Sequence, residues 1–106
     1  MGTNKTSVVV YSKPLCSDCI AAEGVLSTAG VVFEHKDVKA DPSTEAEFKL
    51  ICTGLKIEPR LPVIVFSSET EDGHEGRMVF VEPQGPELEV LRFAAEHHQH
   101  LGSPER

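Results

Sequence analysis

The chain has 106 residues, a hydrophobic content of 40% and a formal net charge of −7 at pH 7. This length suits one domain with one modest core, so a single domain over 1–106 is expected. The acidic charge argues against a nucleic-acid partner, and the longest apolar stretch, 61–66, is too short to span a membrane.

A strand followed by a helix is predicted at the start of the chain. Residues 7–11 are β-branched and aromatic, a composition typical of a buried strand. Residues 17–29 carry apolar side chains at helical spacing, and Gly30 supplies a helix stop. The face that this helix is predicted to bury comprises Cys19, Ala22, Leu26 and Ala29.

A second strand and a second helix are predicted next, over 31–38 and from Asp41 onwards. Asp41 can accept hydrogen bonds from the free amides of a first turn, and Pro42 suits the first helical position. One face of this helix comprises Phe48, Ile51, Cys52 and Leu55. We therefore expect the thiol of Cys52 to be a buried apolar group rather than a reactive one.

A hairpin and a last helix are predicted in the second half of the chain. Residues 61–66 are apolar throughout, which indicates a central strand. Residues 67–76 are polar and acidic and contain glycine, which predicts an exposed hairpin loop. A fourth strand is predicted over 77–81, and a final helix is predicted to end near His98.

The predicted order of elements is β-α-β-α-β-β-α. This order indicates an α/β fold with a four-stranded mixed sheet flanked by helices. The first helix connects a parallel pair of strands by a right-handed crossover, and the closing hairpin adds antiparallel strands. We expect the core to cover about 7–98 and the tail at 99–106 to be disordered.

Cys16 and Cys19 form a C-x-x-C pair where the first strand gives way to the first helix. A helix start presents unpaired N–H groups and a positive dipole end, so a thiol there loses its proton more easily. Cys19 shares the buried face, whereas Cys16 lies one turn earlier and is predicted to be exposed. This asymmetry predicts thiol–disulfide exchange, in which Cys16 attacks a substrate disulfide and Cys19 resolves the mixed disulfide.

Two charged neighbours act on the Cys16 thiol in opposite directions. Lys13 favours the thiolate by its positive charge, and Asp18, between the two cysteines, opposes it. A zinc site is the alternative use of the pair. Zinc normally takes four ligands, and neither a second C-x-x-C nor an H-x-x-x-H is present, so no metal is expected.

The cysteine count bears on the cellular compartment. Three cysteines are too few for a disulfide-stapled secreted scaffold, and one close pair with one further thiol suits a reducing compartment. No basic-then-apolar leader is visible at the start of the sequence. We therefore expect a cytoplasmic protein, and we expect it to be a monomer.

Three features of residues 7–98 belong together: the segment YSKPLCSDC at 11–19, the element order, and the Leu61-Pro62 dipeptide before a strand. In these features the chain resembles the glutaredoxin family of the thioredoxin fold. The resemblance implies that Pro62 is cis and lies beside Cys16. It also implies that the backbone of Leu61 pairs with an extended substrate or with glutathione, as a strand edge does. A trans proline that opens the strand is the alternative.

The same resemblance supplies candidate contacts for the substrate or glutathione. Lys13 matches the family's lysine near the glutathione carboxylate, and Arg60 could bind the same anion or be a solvated surface charge. Glutathione-binding members carry a Gly-Gly turn followed by Asp after the fourth strand. In this chain Gly85 and Glu87 are the candidate partial replacements, and two prolines remove amide donors from the turn.

The resemblance implies a thiol–disulfide oxidoreductase that reduces protein disulfides or glutathione mixed disulfides through Cys16 and Cys19. The missing Gly-Gly turn, with Ser17-Asp18 in place of the common Pro-Tyr, leaves the electron donor open between glutathione and a thioredoxin-reductase-type protein. Two functions from other classes remain as alternatives. One is a carrier of an iron–sulfur cluster bridged by Cys16 and glutathione, and the other is a binding module that uses the acidic loop at 67–76.

Overall fold

The computed structural model describes residues 5–69 and 73–102, with side chains described over 6–69 and 73–97. The elements in this part of the chain follow the predicted order. They are β1 (Lys5–Ser12), α1 (Ser17–Thr28), β2 (Glu34–Asp37), α2 (Pro42–Leu55), β3 (Val63–Glu69), β4 (Glu75–Val81) and α3 (Pro86–Gly102). None of the described helices is long and apolar enough to cross a membrane.

The strands form one mixed sheet in the order β2-β1-β3-β4. Strand β1 runs parallel to β2 and antiparallel to β3, and β3 runs antiparallel to β4. The predicted α/β fold with a four-stranded mixed sheet is therefore confirmed. Strand β3 lies between β1 and β4, as its uninterrupted apolar sequence predicts.

The sheet separates two apolar clusters, because successive side chains of a strand point to opposite faces. Val10 and its cross-strand partner Ile64 belong to the cluster that contains residues of α1 and α3. Tyr11 and its partner Val63 belong to the cluster that contains residues of α2. Both central strands are thus covered on both faces, which is why β3 can be apolar throughout.

The predicted helix boundaries are confirmed at two positions. The Asp41 carboxylate accepts hydrogen bonds from the amide and the hydroxyl of Ser43, each at 2.9 Å, and so caps α2. The Ser43 hydroxyl and amide hold the pKa of Asp41 below its usual value. Gly30 follows α1 with a φ of 80°, in the left-handed region that favours glycine at a helix end.

Three predicted segments have limits that differ from those in the structure. The loop predicted over 67–76 is shorter, because β3 extends to Glu69 and β4 begins at Glu75, with three of the loop residues, 70–72, outside the described residues. The polar sequence there reflects solvent exposure, while the backbones still pair in the sheet. Strand β2 is shorter than predicted, since only four of its residues pair with β1. Helix α3 continues to Gly102, into the segment predicted to be a disordered tail.

An ion pair links α2 to β2. Lys36 Nζ lies 2.9 Å from Glu47 Oε1, and the same ammonium group lies 5.7 Å from the centre of the Tyr11 ring. The hydrogen bond with Lys36 lowers the pKa of Glu47, and it raises the pKa of Lys36. Burial, and then the Glu47 charge, raise the pKa of Tyr11. The pair therefore stabilises α2 against the edge of the sheet.

Replacing Glu47 with Gln is expected to lower the free energy of unfolding by about 0.2–1 kcal/mol at neutral pH, the usual value of an exposed ion pair. Because the folded pKa of Glu47 lies below its ordinary 4.5, the wild type has this contribution above that pH and loses it as the pH falls through the folded pKa. Urea unfolding across the acid range measures the difference. Glu58→Gln is the matched control, and a Glu47 effect that persists in strong acid would contradict the assignment.

Cys52 is buried in the cluster under α2, as predicted. Cys52→Ser is expected to lower the free energy of unfolding by about 1–3 kcal/mol, because it buries a hydroxyl group in an apolar site. Cys52→Ala should cost less, since it only removes a small apolar group. Urea unfolding compares the two variants, and rapid alkylation of Cys52 in the folded wild type would show that the burial is wrong.

Candidate active site

Cys16 is the N-cap residue of α1, and its sulfur caps the helix. The Cys16 backbone is extended, with φ −111° and ψ 105°, and its Sγ accepts a hydrogen bond from the Cys19 amide at 3.2 Å. The two cysteines form a disulfide, with their Cα atoms 5.2 Å apart. The sulfur therefore satisfies an amide that the first turn of a helix leaves unpaired.

The predicted exposure of Cys16 is wrong. Cys16 is only 8% exposed, whereas Cys19, predicted to face inward, is 2% exposed. The physical reason is the cap itself. An N-cap side chain folds back over the first turn, and the disulfide ties the Cys16 sulfur to a residue that already faces the core. The difference in exposure between the two cysteine residues is therefore small in this oxidised form.

The disulfide lies beyond one end of the sheet, which we call the redox end. Tyr11 is paired with Val63, and Val63 with Val81, so these three residues form one row across the sheet. All four strands have a terminus at this end: β1 continues towards the two cysteines, β2 ends at Asp37, β3 is preceded by Pro62, and β4 is followed by Glu82. The segments before β3 and after β4 therefore lie at the same end of the sheet as the disulfide.

The end of β1 is held in place by a buried hydroxyl group. Ser12 is buried, and its Oγ is hydrogen-bonded to His35 Nε2 at 2.5 Å. The same nitrogen lies 3.4 Å from a carboxylate oxygen of Glu23 in α1. These contacts tie the last residue of β1 to β2 and to the helix that begins at the disulfide.

The Leu61-Pro62 peptide bond is cis, which confirms the predicted isomer. Pro62 is buried and Leu61 is half-buried. The carbonyl oxygen of Pro62 accepts a hydrogen bond from the Glu82 amide at 2.7 Å. The segment before β3 is thus joined to the segment after β4.

Arg60 and Glu82 form an ion pair at the redox end. Arg60 Nη1 lies 3.7 Å from Glu82 Oε1, with the arginine side chain 60% exposed and the glutamate side chain 32% exposed. On sequence grounds, Arg60 is either a contact for a substrate anion or a solvated surface charge. In the structure it is exposed, and its charge is matched by a carboxylate of the same chain.

The turn after β4 contacts the start of α1. Gln84 Nε2 donates a hydrogen bond to Asp18 Oδ2 at 2.8 Å, which brings the turn to the residue between the two cysteines. The backbone amide of Gln84 donates a hydrogen bond to Glu87 Oε1 at 3.0 Å, so Glu87 caps the turn from within α3. Gly85 has a φ of 57°, and its carbonyl accepts the Leu88 amide at 3.0 Å.

Two residues before Cys16 face solvent. Lys13 is exposed, and Leu15 is 100% exposed with a φ of 58°. A fully exposed leucine therefore lies next to Cys16 in the chain. The sequence does not predict this exposure, nor the contacts of Glu82 and Gln84, because those two contacts join segments that are far apart in the chain.

The chemistry available at this end is that of a dithiol and its disulfide. Two sulfurs lie in one helical turn, one of them on the helix N-terminus, where backbone amides favour a thiolate. Among residues 5–69 and 73–102, no group of three or more His, Cys, Asp or Glu side chains is placed to hold a metal ion. The arrangement fits two-electron exchange between thiols and disulfides.

Comparison with known proteins gives one family. The model of the glutaredoxin family matches residues 8–69, which is more than half of the chain and includes both cysteines and the cis-proline. No curated protein matches the sequence. The family match and the Cys16–Cys19 pair together indicate a glutaredoxin-like redox function.

In the reduced protein, Asp18→Asn is expected to lower the pH midpoint of Cys16 alkylation by about 0.2–0.7 pH unit. The Asp18 carboxylate opposes the Cys16 thiolate, and an interaction between two charges near the surface is worth about 0.2–1 kcal/mol. Asparagine keeps an oxygen that can accept from Gln84, so the turn should stay in place. Glu34→Gln on β2 is the control. An unchanged midpoint in Asp18→Asn would show that Asp18 does not affect the Cys16 thiol.

Proposed function

Because the chain belongs to the glutaredoxin family, we propose that it is a cytoplasmic, monomeric thiol–disulfide oxidoreductase that reduces protein disulfides or glutathione mixed disulfides. The observation that carries this proposal is the Cys16–Cys19 disulfide on the first turn of α1. A sulfur that accepts the Cys19 amide there becomes a stabilised thiolate when the disulfide is reduced.

The proposed cycle starts from the reduced pair. The Cys16 thiolate attacks one sulfur of the substrate disulfide, forms a mixed disulfide and releases the first substrate thiolate. Cys19 loses its proton and attacks Cys16 Sγ, which restores the Cys16–Cys19 disulfide and releases the second thiolate. Two electrons have then passed from the pair to the substrate, and each released thiolate takes up one proton.

Two features support a protein as the substrate. Leu15 is fully exposed next to Cys16, and Leu61 is half-buried next to the cis-proline, so apolar side chains are available at the redox end. In this proposal an extended substrate segment lies along Leu61 and Pro62, and Lys13 favours the reactive thiolate.

The electron donor is proposed to be a thioredoxin-reductase-type protein rather than glutathione. Two groups that could bind a carboxylate at this end are already engaged, since Arg60 is paired with Glu82 and the Gln84 amide with Glu87. Gly85 and Glu87, the candidate replacements for the family's glutathione turn, hold the start of α3 instead.

The donor is tested by recycling. The protein is given hydroxyethyl disulfide with NADPH and either glutathione plus its reductase or thioredoxin reductase. Turnover with thioredoxin reductase and little with glutathione is the expected result, whereas efficient turnover with glutathione would overturn the donor assignment. A prereduced protein that leaves the disulfide unreduced in a single turnover would overturn the activity itself.

The roles of the two cysteines predict different defects. Cys16→Ser is expected to reduce disulfide exchange to the uncatalysed rate, because no nucleophile remains at the helix start. Cys19→Ser should still complete the first step and accumulate a mixed disulfide on Cys16, which intact mass spectrometry detects as the added substrate thiol. Cys52→Ala should keep full activity, and equal accumulation on Cys16→Ser would reverse the assigned roles.

A further inference from the structure

Glu82 has a backbone conformation that its residue type does not favour. Its φ is 46°, in the left-handed region where a side chain is crowded and glycine is the usual residue. The conformation is held by the hydrogen bond from its amide to Pro62, at 2.7 Å. A strained residue at a functional site is a reason to ask what its side chain does.

The side chain of Glu82 reaches the one arginine of the segment that precedes the cis-proline. Its carboxylate lies 3.7 Å from the Arg60 guanidinium, beside a shallow cavity of about 410 Å³ lined by Ile57, Glu58, Arg60 and Val81. Because Val81 ends β4 in the row that defines the redox end, this ion pair lies at the same end of the sheet as the disulfide.

We propose that Glu82 is a specificity-determining residue that lowers the acceptance of anionic thiol compounds by occupying Arg60. This inference rests on the proposed function and concerns which disulfides reach Cys16. A free guanidinium at this place would attract the carboxylates of a substrate, whereas a paired one requires the substrate to displace Glu82 or to meet its negative charge. Uncharged disulfides are not subject to this competition.

The size of the effect follows from the exposure of the pair. Both side chains contact solvent, so the ion pair is worth little and is screened by salt. Glu82→Gln is expected to raise the rate with an anionic disulfide relative to a neutral one by about two- to fivefold at low ionic strength, and less at high ionic strength. Gln keeps the length of the side chain and the backbone amide that binds Pro62.

The experiment uses the full-length reduced protein in single turnovers. Oxidised glutathione is the anionic probe and hydroxyethyl disulfide is the neutral probe, and the ratio of their second-order rate constants is measured for the wild type, Glu82→Gln and Glu58→Gln. Glu58 is the matched control, because it lines the cavity beside Arg60 and Glu58→Gln loses the same charge without breaking the ion pair.

Arg60→Gln separates a contact from a general charge effect. If Glu82 acts by occupying Arg60, the gain from Glu82→Gln should largely disappear in the Arg60→Gln background. An equal gain in both backgrounds, a gain as large from Glu58→Gln, or no gain at all would overturn the proposal. A wild type that does not reduce the neutral probe would instead overturn the proposed function. Failure of this inference and failure of the proposed function therefore give different results.

Discussion

The redox end depends on one hydrogen bond, from the Cys19 amide to the sulfur of Cys16. This bond begins α1, so the position of the helix and the position of the reactive atom are set together. Sulfur is a weak acceptor in a thiol or disulfide and a better one as a thiolate. The bond should therefore strengthen on reduction, which couples the charge of the nucleophile to the stability of the helix start.

The sheet holds the start of α1 in a defined position, although the segments around it are irregular. Strands β1 and β3 are covered on both faces, with Val10 and Ile64 in one cluster and Tyr11 and Val63 in the other. A rigid sheet of this kind ends in one row of paired residues, and irregular segments extend from it. Binding and catalytic groups usually occupy such segments on a rigid scaffold.

The sequence predicts what local spacing determines. The order of elements, the Asp41 cap, the buried Cys52 and the inward face of α1 all follow from helical or strand periodicity, and the structure agrees. The cis isomer of Pro62 was implied by family resemblance, since its local sequence alone favours trans. The burial of Cys16 was missed, because spacing describes the helix face and not the way a cap side chain folds back over the first turn.

The turn after β4 shows why the remaining contacts lay beyond prediction. Two of its residues, Pro83 and Pro86, have no amide hydrogen, so few backbone donors remain in this segment. The amides of Glu82, Gln84 and Glu87 are bonded within the chain, to groups up to twenty residues away. In the proposed function, a substrate would therefore meet side chains in place of free amides at these positions. Recognition at this turn would then depend on charge and apolar contact, which side chains supply, and backbone pairing with an extended substrate would fall to the segment at Leu61 and Pro62.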